Sequence, residues 1–191
     1  MLVKEMYFNE KNFINFFIIN FNNFSFGSIK ENIINNLQNT DNLSFDFEQN
    51  INGKIEKGNC VIEYPKKIFC NYNVDDSKIL VSNGRYLVIK TDNNILYRYS
   101  LERTPLNYIL DKNFLINEIK NLEEKIIDDK FINFKILKDD NEINIFFNST
   151  NYNLIGWQTL DIYQNLSITY ISSLKINQLI EKNIFKLPAS N

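Results

Sequence analysis

Three features of this 191-residue chain predict a mainly β fold (α+β), an unclosed, strongly curved antiparallel half-barrel with helices on one side. Strand-like segments follow one another at short, even spacing, turn-forming residues separate them, and helical periodicity is confined to the start and the middle. A crossover α/β fold would need helices alternating with strands, and they are missing. A bent sheet whose concave face carries Phe, Tyr, Ile and Leu must bury that face under helices or leave a cavity. Helices closing over it as a lid would make a container for an apolar ligand.

Taken in order, the chain begins with an apolar run broken by asparagines, Lys11 to Ser28. Its stretch from Phe13 to Phe21 is too short to span a bilayer and has the length of a signal-peptide core. Residues 1–27 therefore read as a signal peptide cut near Phe26, Gly27 or Ser28, or as an N-terminal apolar segment of the fold. Residues 28–191 read as one domain. From Ser28 to Leu43, Ile29, Ile33, Ile34 and Leu37 recur at helical spacing. Ser28 with Glu31 forms the pattern of a capping box.

The strands follow. Phe45, Phe47 and Ile51 alternate with Asp46, Glu48 and Asn50, as in a strand with one wet face. Lys54 to Tyr64 and Lys67 to Tyr72 form a hairpin joined through Pro65. Lys78 to Lys90 holds Asn83-Gly84 between two β-rich arms, the strongest short hairpin signal in the chain. Asp92 to Asn94 then turn the chain into ILYRYSL. In Arg103 to Leu110 a short helix is expected, with Thr104 as its cap and Pro105 at its first position. Asn113 to Asp129 is read as a second helix of mixed register that could also enter a strand. Strands resume at FINFKIL and EINIFF on either side of Asp139-Asp140-Asn141, and a last hairpin from Gly156 to Leu174 turns at Gln164-Asn165.

Chemistry is constrained by what the composition lacks. The formal charge is -2, from 21 Lys+Arg and 23 Asp+Glu, with the signs mixed, which is not the basic footprint that nucleic-acid binding requires. There is no histidine, so the commonest metal ligand and the usual general base are missing. A lipid esterase would need a nucleophile–base pair that the chain cannot supply in the usual form. No enzyme activity and no cofactor are expected. The pairs Asp46 with Glu48 and Asp75 with Asp76 fall on a wet strand face and in a turn, where charge is ordinary. Cys60 and Cys70 lie on opposite arms of one hairpin. They serve as apolar wall residues, or are bridged if the chain is exported. A redox or metal role is disfavoured, because no C-x-x-C pattern or third ligand accompanies them. Trp157, next to Gly156, is a core anchor or a cavity wall.

Several landmarks, in order, resemble the outer-membrane lipoprotein carrier family, LolA: FDFEQNINGKI (Phe45 to Ile55), EYPKKI (Glu63 to Ile68), ILVSNGRYLVI (Ile79 to Ile89), RTPLNYIL, Gly156 to Asn177, and the closing FKLP (Phe185 to Pro188). Each is weak alone, while their order over residues 30 to 188 is specific. The resemblance implies an open barrel with a helical lid, and a monomeric periplasmic carrier in a Gram-negative bacterium. Such a carrier takes acylated lipoproteins from an inner-membrane ABC-type release complex to an outer-membrane lipoprotein acceptor, holding their acyl chains in a hydrophobic cavity. A sensor or regulator of the same fold, binding lipid or lipoprotein without shuttling it, is the second reading. The implied lining and lid residues are Phe47, Ile62, Ile68, Tyr72, Leu87, Tyr97, Leu106, Ile109, Leu110 and Trp157. The family commonly carries an arginine after its YP or RP turn that helps to latch the lid. Here PKKIFCNY places Phe69 at that point, leaving Lys67, Arg85 and Arg103 as candidate latches.

Overall fold

A computed structural model describes residues 28–73, 78–91, 93, 95–160 and 164–189. The N-terminal segment 1–27, the Asp75-Asp76 pair, most of the Asp92 to Asn94 turn and residues 161–163 lie outside the described residues.

The first helix, α1 (Ile29–Gln38), starts where the capping box predicts. The Ser28 hydroxyl accepts from the Glu31 N–H at 3.2 Å, and the Glu31 carboxylate accepts from the Ser28 N–H at 2.7 Å. Four groups that a helix start leaves unpaired are thus reduced by one, and the entering N–H is held as well. Ile33 and Leu37 form its buried stripe.

Six strands then run back and forth: β1 (Asn42–Ile51), β2 (Lys54–Glu63), β3 (Lys67–Tyr72), β4 (Ile79–Asn83), β5 (Tyr86–Lys90) and β6 (Leu96–Ser100). At the β4–β5 turn the Asn83 side chain accepts from the N–H groups of Arg85 and Tyr86, both at 3.0 Å, while Gly84 takes φ +95°. That left-handed conformation is the reason for the Asn-Gly pair.

After β6 the chain makes a single 3-10 turn (Leu101–Arg103) and two helices, α2 (Leu106–Ile109) and α3 (Lys112–Asn121). Thr104 does not cap α2 as expected. Its hydroxyl donates back to the Leu101 carbonyl at 2.8 Å, because the preceding 3-10 turn presents that carbonyl before the helix offers its N–H groups. The expected helix from Asn113 to Asp129 is split. Asp111 caps α3 by accepting from the Phe114 N–H at 3.1 Å, the helix ends at Asn121, and Ile126 and Ile127 enter strand β7 (Lys125–Ile127) opposite Ile132 and Phe131. Two adjacent β-branched residues suit the pleated ladder better than a helix end. Strands β8 (Phe131–Lys138), β9 (Asn141–Asn148), β10 (Leu154–Leu160) and β11 (Leu166–Ile176) complete the fold.

All eleven strands form one antiparallel sheet in the order β6-β5-β4-β3-β2-β1-β11-β10-β9-β8-β7. It is unclosed, with β6 and β7 as its two edges. The connection between those edges is the segment that contains α2 and α3, so the helices must lie across the open side of the barrel. The two halves of the concave face are filled differently. Ile33 and Leu37 of α1 and Leu115 and Ile119 of α3 share a solid core with Phe134, Ile136, Ile143, Ile145 and Phe147 of β8 and β9. The other half, lined by residues of β1 to β6 together with β10 and β11, is hollow.

Candidate ligand-binding cavity

A cavity of about 510 Å³ lies in that hollow half, within the range of about 300–1,000 Å³ usual for small-ligand sites. The alternating pattern of each strand supplies its walls: Phe47 from β1, Ile68 and Tyr72 from β3, Leu87 from β5 and Tyr97 from edge strand β6. Trp157 closes the side toward β10, and Leu106, at the start of α2, covers the top. Ile62, Ile109 and Leu110, the other positions implied by the resemblance, are fully buried in the solid core at 0% exposure and do not reach the cavity surface. Phe45 meets Trp157 edge to face with centroids 6.4 Å apart, and Phe47 meets Tyr72 in the same manner at 5.0 Å. These contacts hold the walls in fixed orientations.

Cys60 and Cys70 stand directly opposite each other on β2 and β3 and are joined by a disulfide. Both line the cavity. The bridge ties the two strands that carry much of the wall.

Contacts between the α2–α3 segment and the rest of the fold come from Lys66, Tyr108 and Lys112. Lys67 pairs with Glu63 and approaches the ring of Phe185 at 5.8 Å. Arg85 packs over Tyr86, and Arg103 is exposed. The neighbouring Lys66 is what touches the lid: its N–H donates to the Leu110 carbonyl at 2.7 Å, and its ammonium lies 3.8 Å from the Asp111 carboxylate. On the other side the Tyr108 hydroxyl donates to the Asp139 carboxylate in the β8–β9 turn. That bond, followed by burial and the charge of Asp139, pushes the Tyr108 phenol up to about 12, so it is a neutral donor at ordinary pH. Lys112 reaches from α3 to the Thr40 carbonyl at 2.7 Å and to Asp41 at 3.2 Å, joining α3 to the end of α1.

One end of the cavity is polar. Glu56, 5% exposed, accepts from Lys54 at 2.9 Å and from Lys78 at 2.6 Å. Burial alone would raise its pKa; the hydrogen bonds from Lys78 and Lys54 outweigh burial and hold the carboxyl below the usual glutamate range. Beside it the Lys78 ammonium sits 4.1 Å from the Tyr72 ring centroid. Burial, then the Glu56 charge, pushes the Tyr72 phenol up. The Gln49 amide donates to Ser167 at 3.0 Å and to Thr169 at 3.3 Å. The period-two pattern carried the clue, since Glu56 falls on the same face of β2 as Cys60 and Ile62.

A depressed carboxyl pKa has a definite sign for stability. The native state binds the Glu56 proton less tightly than the unfolded chain, so its stabilising contribution is present above about pH 4.3, the ordinary glutamate value, and is lost on acidification through the lower folded value. Urea midpoints of the native protein are expected to fall between pH 6 and pH 3, with a smaller fall in Glu56→Gln. Equal slopes in the two proteins would remove Glu56 from the acid dependence.

An unclosed antiparallel barrel with helices across a half-hollow concave face defines a ligand-binding fold. A family model described as outer membrane lipoprotein carrier protein LolA matches residues 38–188, and the chain belongs to that family. A comparison with curated proteins finds no sequence match. Among solved structures, an uncharacterized conserved protein from Thermus thermophilus is similar with a TM-score of 0.50 and 8% identity, over 83% of this chain and 92% of that one. The LolA superfamily protein NE2245 from Nitrosomonas europaea aligns with a TM-score of 0.43 and 12% identity, over 83% and 96%. MucB aligns with a TM-score of 0.47 and 10% identity, over 86% of this chain and 64% of MucB.

Proposed function

We propose that this protein is a periplasmic carrier that holds the acyl chains of lipoproteins in its cavity, taking them from an inner-membrane ABC-type release complex to an outer-membrane acceptor. The observation that carries this reading is the apolar cavity between the curved sheet and α2, in a chain of the LolA family. Each methylene moved from water into such a space contributes roughly 0.8 kcal/mol. No bond has to be made or broken, which agrees with a chain that has no histidine.

Cavity size sets how cargo enters. Taking a methylene as roughly the ~30 Å³ that a water molecule occupies in the liquid, a sixteen-carbon chain needs on the order of 480 Å³. The partly open cavity of about 510 Å³ therefore suits about one chain, and a triacylated lipoprotein requires α2 to lift. The Lys66 and Tyr108 contacts are the fastenings that must yield. Their cost offsets part of the gain from burial, which lets a carrier release what it has captured.

Incubation with inner-membrane vesicles that contain a triacylated lipoprotein and an energised release complex is expected to yield a soluble one-to-one complex with the cargo. Cargo that stays in the vesicle pellet, in an assay where an established carrier releases it, would overturn the shuttle.

A further inference from the structure

The backbone ladder already holds β1, β11 and β10 together, and a wall made only for hydrocarbon would carry apolar side chains there. Four polar residues stand on it instead. Gln49 of β1 lies opposite Thr169 of β11, and Ser167, two residues away on the same face, lies opposite Thr159 of β10. All four line the cavity, and the three hydroxyl residues are buried. They sit toward the β1–β2 turn, where Gln49 pairs with Glu56, at the end of the strands away from the Lys66 tie. The Gln49 amide gives its N–H groups to the Ser167 and Thr169 hydroxyls at 3.0 and 3.3 Å. Its orientation is set from the other side, where the Tyr72 hydroxyl donates to Gln49 Oε1 at 3.4 Å. Each of the two hydroxyl oxygens therefore accepts, and its own O–H proton remains to be given. Among the described residues no protein group accepts either proton. Buried donors of this kind call for a partner.

From this arrangement we propose that Ser167 and Thr169, oriented by Gln49, form a binding site for the ester carbonyl at the head of an acyl chain. The proposal rests on the reading that the cavity holds acyl chains, and adds the direction in which a chain lies. Its ester end is at the β1–β2 turn, and its hydrocarbon runs past Phe47 toward Ile68. An ester only accepts hydrogen bonds, which suits a wall whose spare groups are donors. The two hydroxyls are neutral, so the site asks for no charge on the ligand. A carbonyl carried into the cavity without them would lose its water and gain nothing in exchange. Bonded to them, it fixes the chain in one register, which a purely apolar wall does not do.

The test compares monolaurin with dodecyl glyceryl ether, which has the same headgroup and carbon count and a methylene in place of the carbonyl. Each competes with the fluorescent probe N-phenyl-naphthylamine for the purified protein. The native protein is expected to bind the ester about threefold more tightly, within the range of one neutral hydrogen bond. In the double variant Ser167→Ala with Thr169→Val the order should reverse, the ether leading by about fivefold or more, because the carbonyl is then buried unpaired. An ether that binds the native protein as well as the ester, or better, would overturn the carbonyl site while leaving the acyl cavity standing. So would an ester lead that survives in the double variant. Binding of neither compound would overturn the acyl reading itself. Should the double variant fail to fold, the native order and Ser167→Ala alone decide the matter: removing that one oxygen is expected to narrow the ester's lead, and an unchanged lead would sink the site.

Discussion

Leu106→Asp is expected to abolish acyl uptake and leave the β-sheet intact. Leu106 begins α2, lines the cavity and is only half-buried, so in the empty protein an aspartate there keeps contact with water. A bound acyl chain would strip that water away without giving the carboxylate a partner, at a cost of several kcal/mol, which exceeds a hundredfold in affinity. Ile109→Asp on the next turn does not test the same point. Ile109 is 0% exposed, and an unpaired charge there attacks the core beneath the lid at about 3–5 kcal/mol. Fluorescent acyl-probe binding, read together with far-ultraviolet circular dichroism, separates the two cases. Native-like uptake by a folded Leu106→Asp protein would show that this helix does not face the chain.

The order of elements was legible because local chemistry and tertiary structure agree over most of the chain. The Ser28 to Glu31 box, the Asn83-Gly84 turn and the alternation around Phe45 and Phe47 each report a short-range requirement that the fold keeps. The split at Leu122 was less legible, because the end of α3 is set by Ile126 and Ile127 pairing with β8, a contact between segments that periodicity does not see. The lid fastening illustrates the same limit. The resemblance points to long cations, Lys67, Arg85 and Arg103, whereas one of the ties is the backbone N–H of Lys66, and a backbone donor leaves no mark in the residue type. Ile62, Ile109 and Leu110 have the pattern of lining residues, and pattern alone does not say which part of an apolar face is filled by neighbours. That depends on where α1 and α3 pack.

The hollow half of the barrel also depends on a residue with no side chain. Gly58 of β2 sits between Phe47 of β1 and Tyr72 of β3 in one cross-strand row, and the two rings meet each other across it. A Cβ at Gly58 would lie 2.1 Å from the Asn71 carbonyl oxygen and 2.8 Å from the Phe47 ring. The first neighbour is backbone of the adjacent strand, so relief requires β2 and β3 to move apart, against the disulfide two residues further along. Gly58→Ala is therefore expected to cost about 2–4 kcal/mol through overpacking and strand displacement, lowering Tm by roughly 5–15 °C for a chain of this size. The effect should reach the ligand as well, since Phe47 and Tyr72 are walls of the cavity and Tyr72 carries the ring beneath Lys78. Below its melting range the variant is expected to bind acyl probes more weakly than the native protein. A Tm within about 2 °C of native, less than about 1 kcal/mol on the same scale, would mean that the strands absorb the methyl group and that the row across Gly58 does not set the cavity's shape.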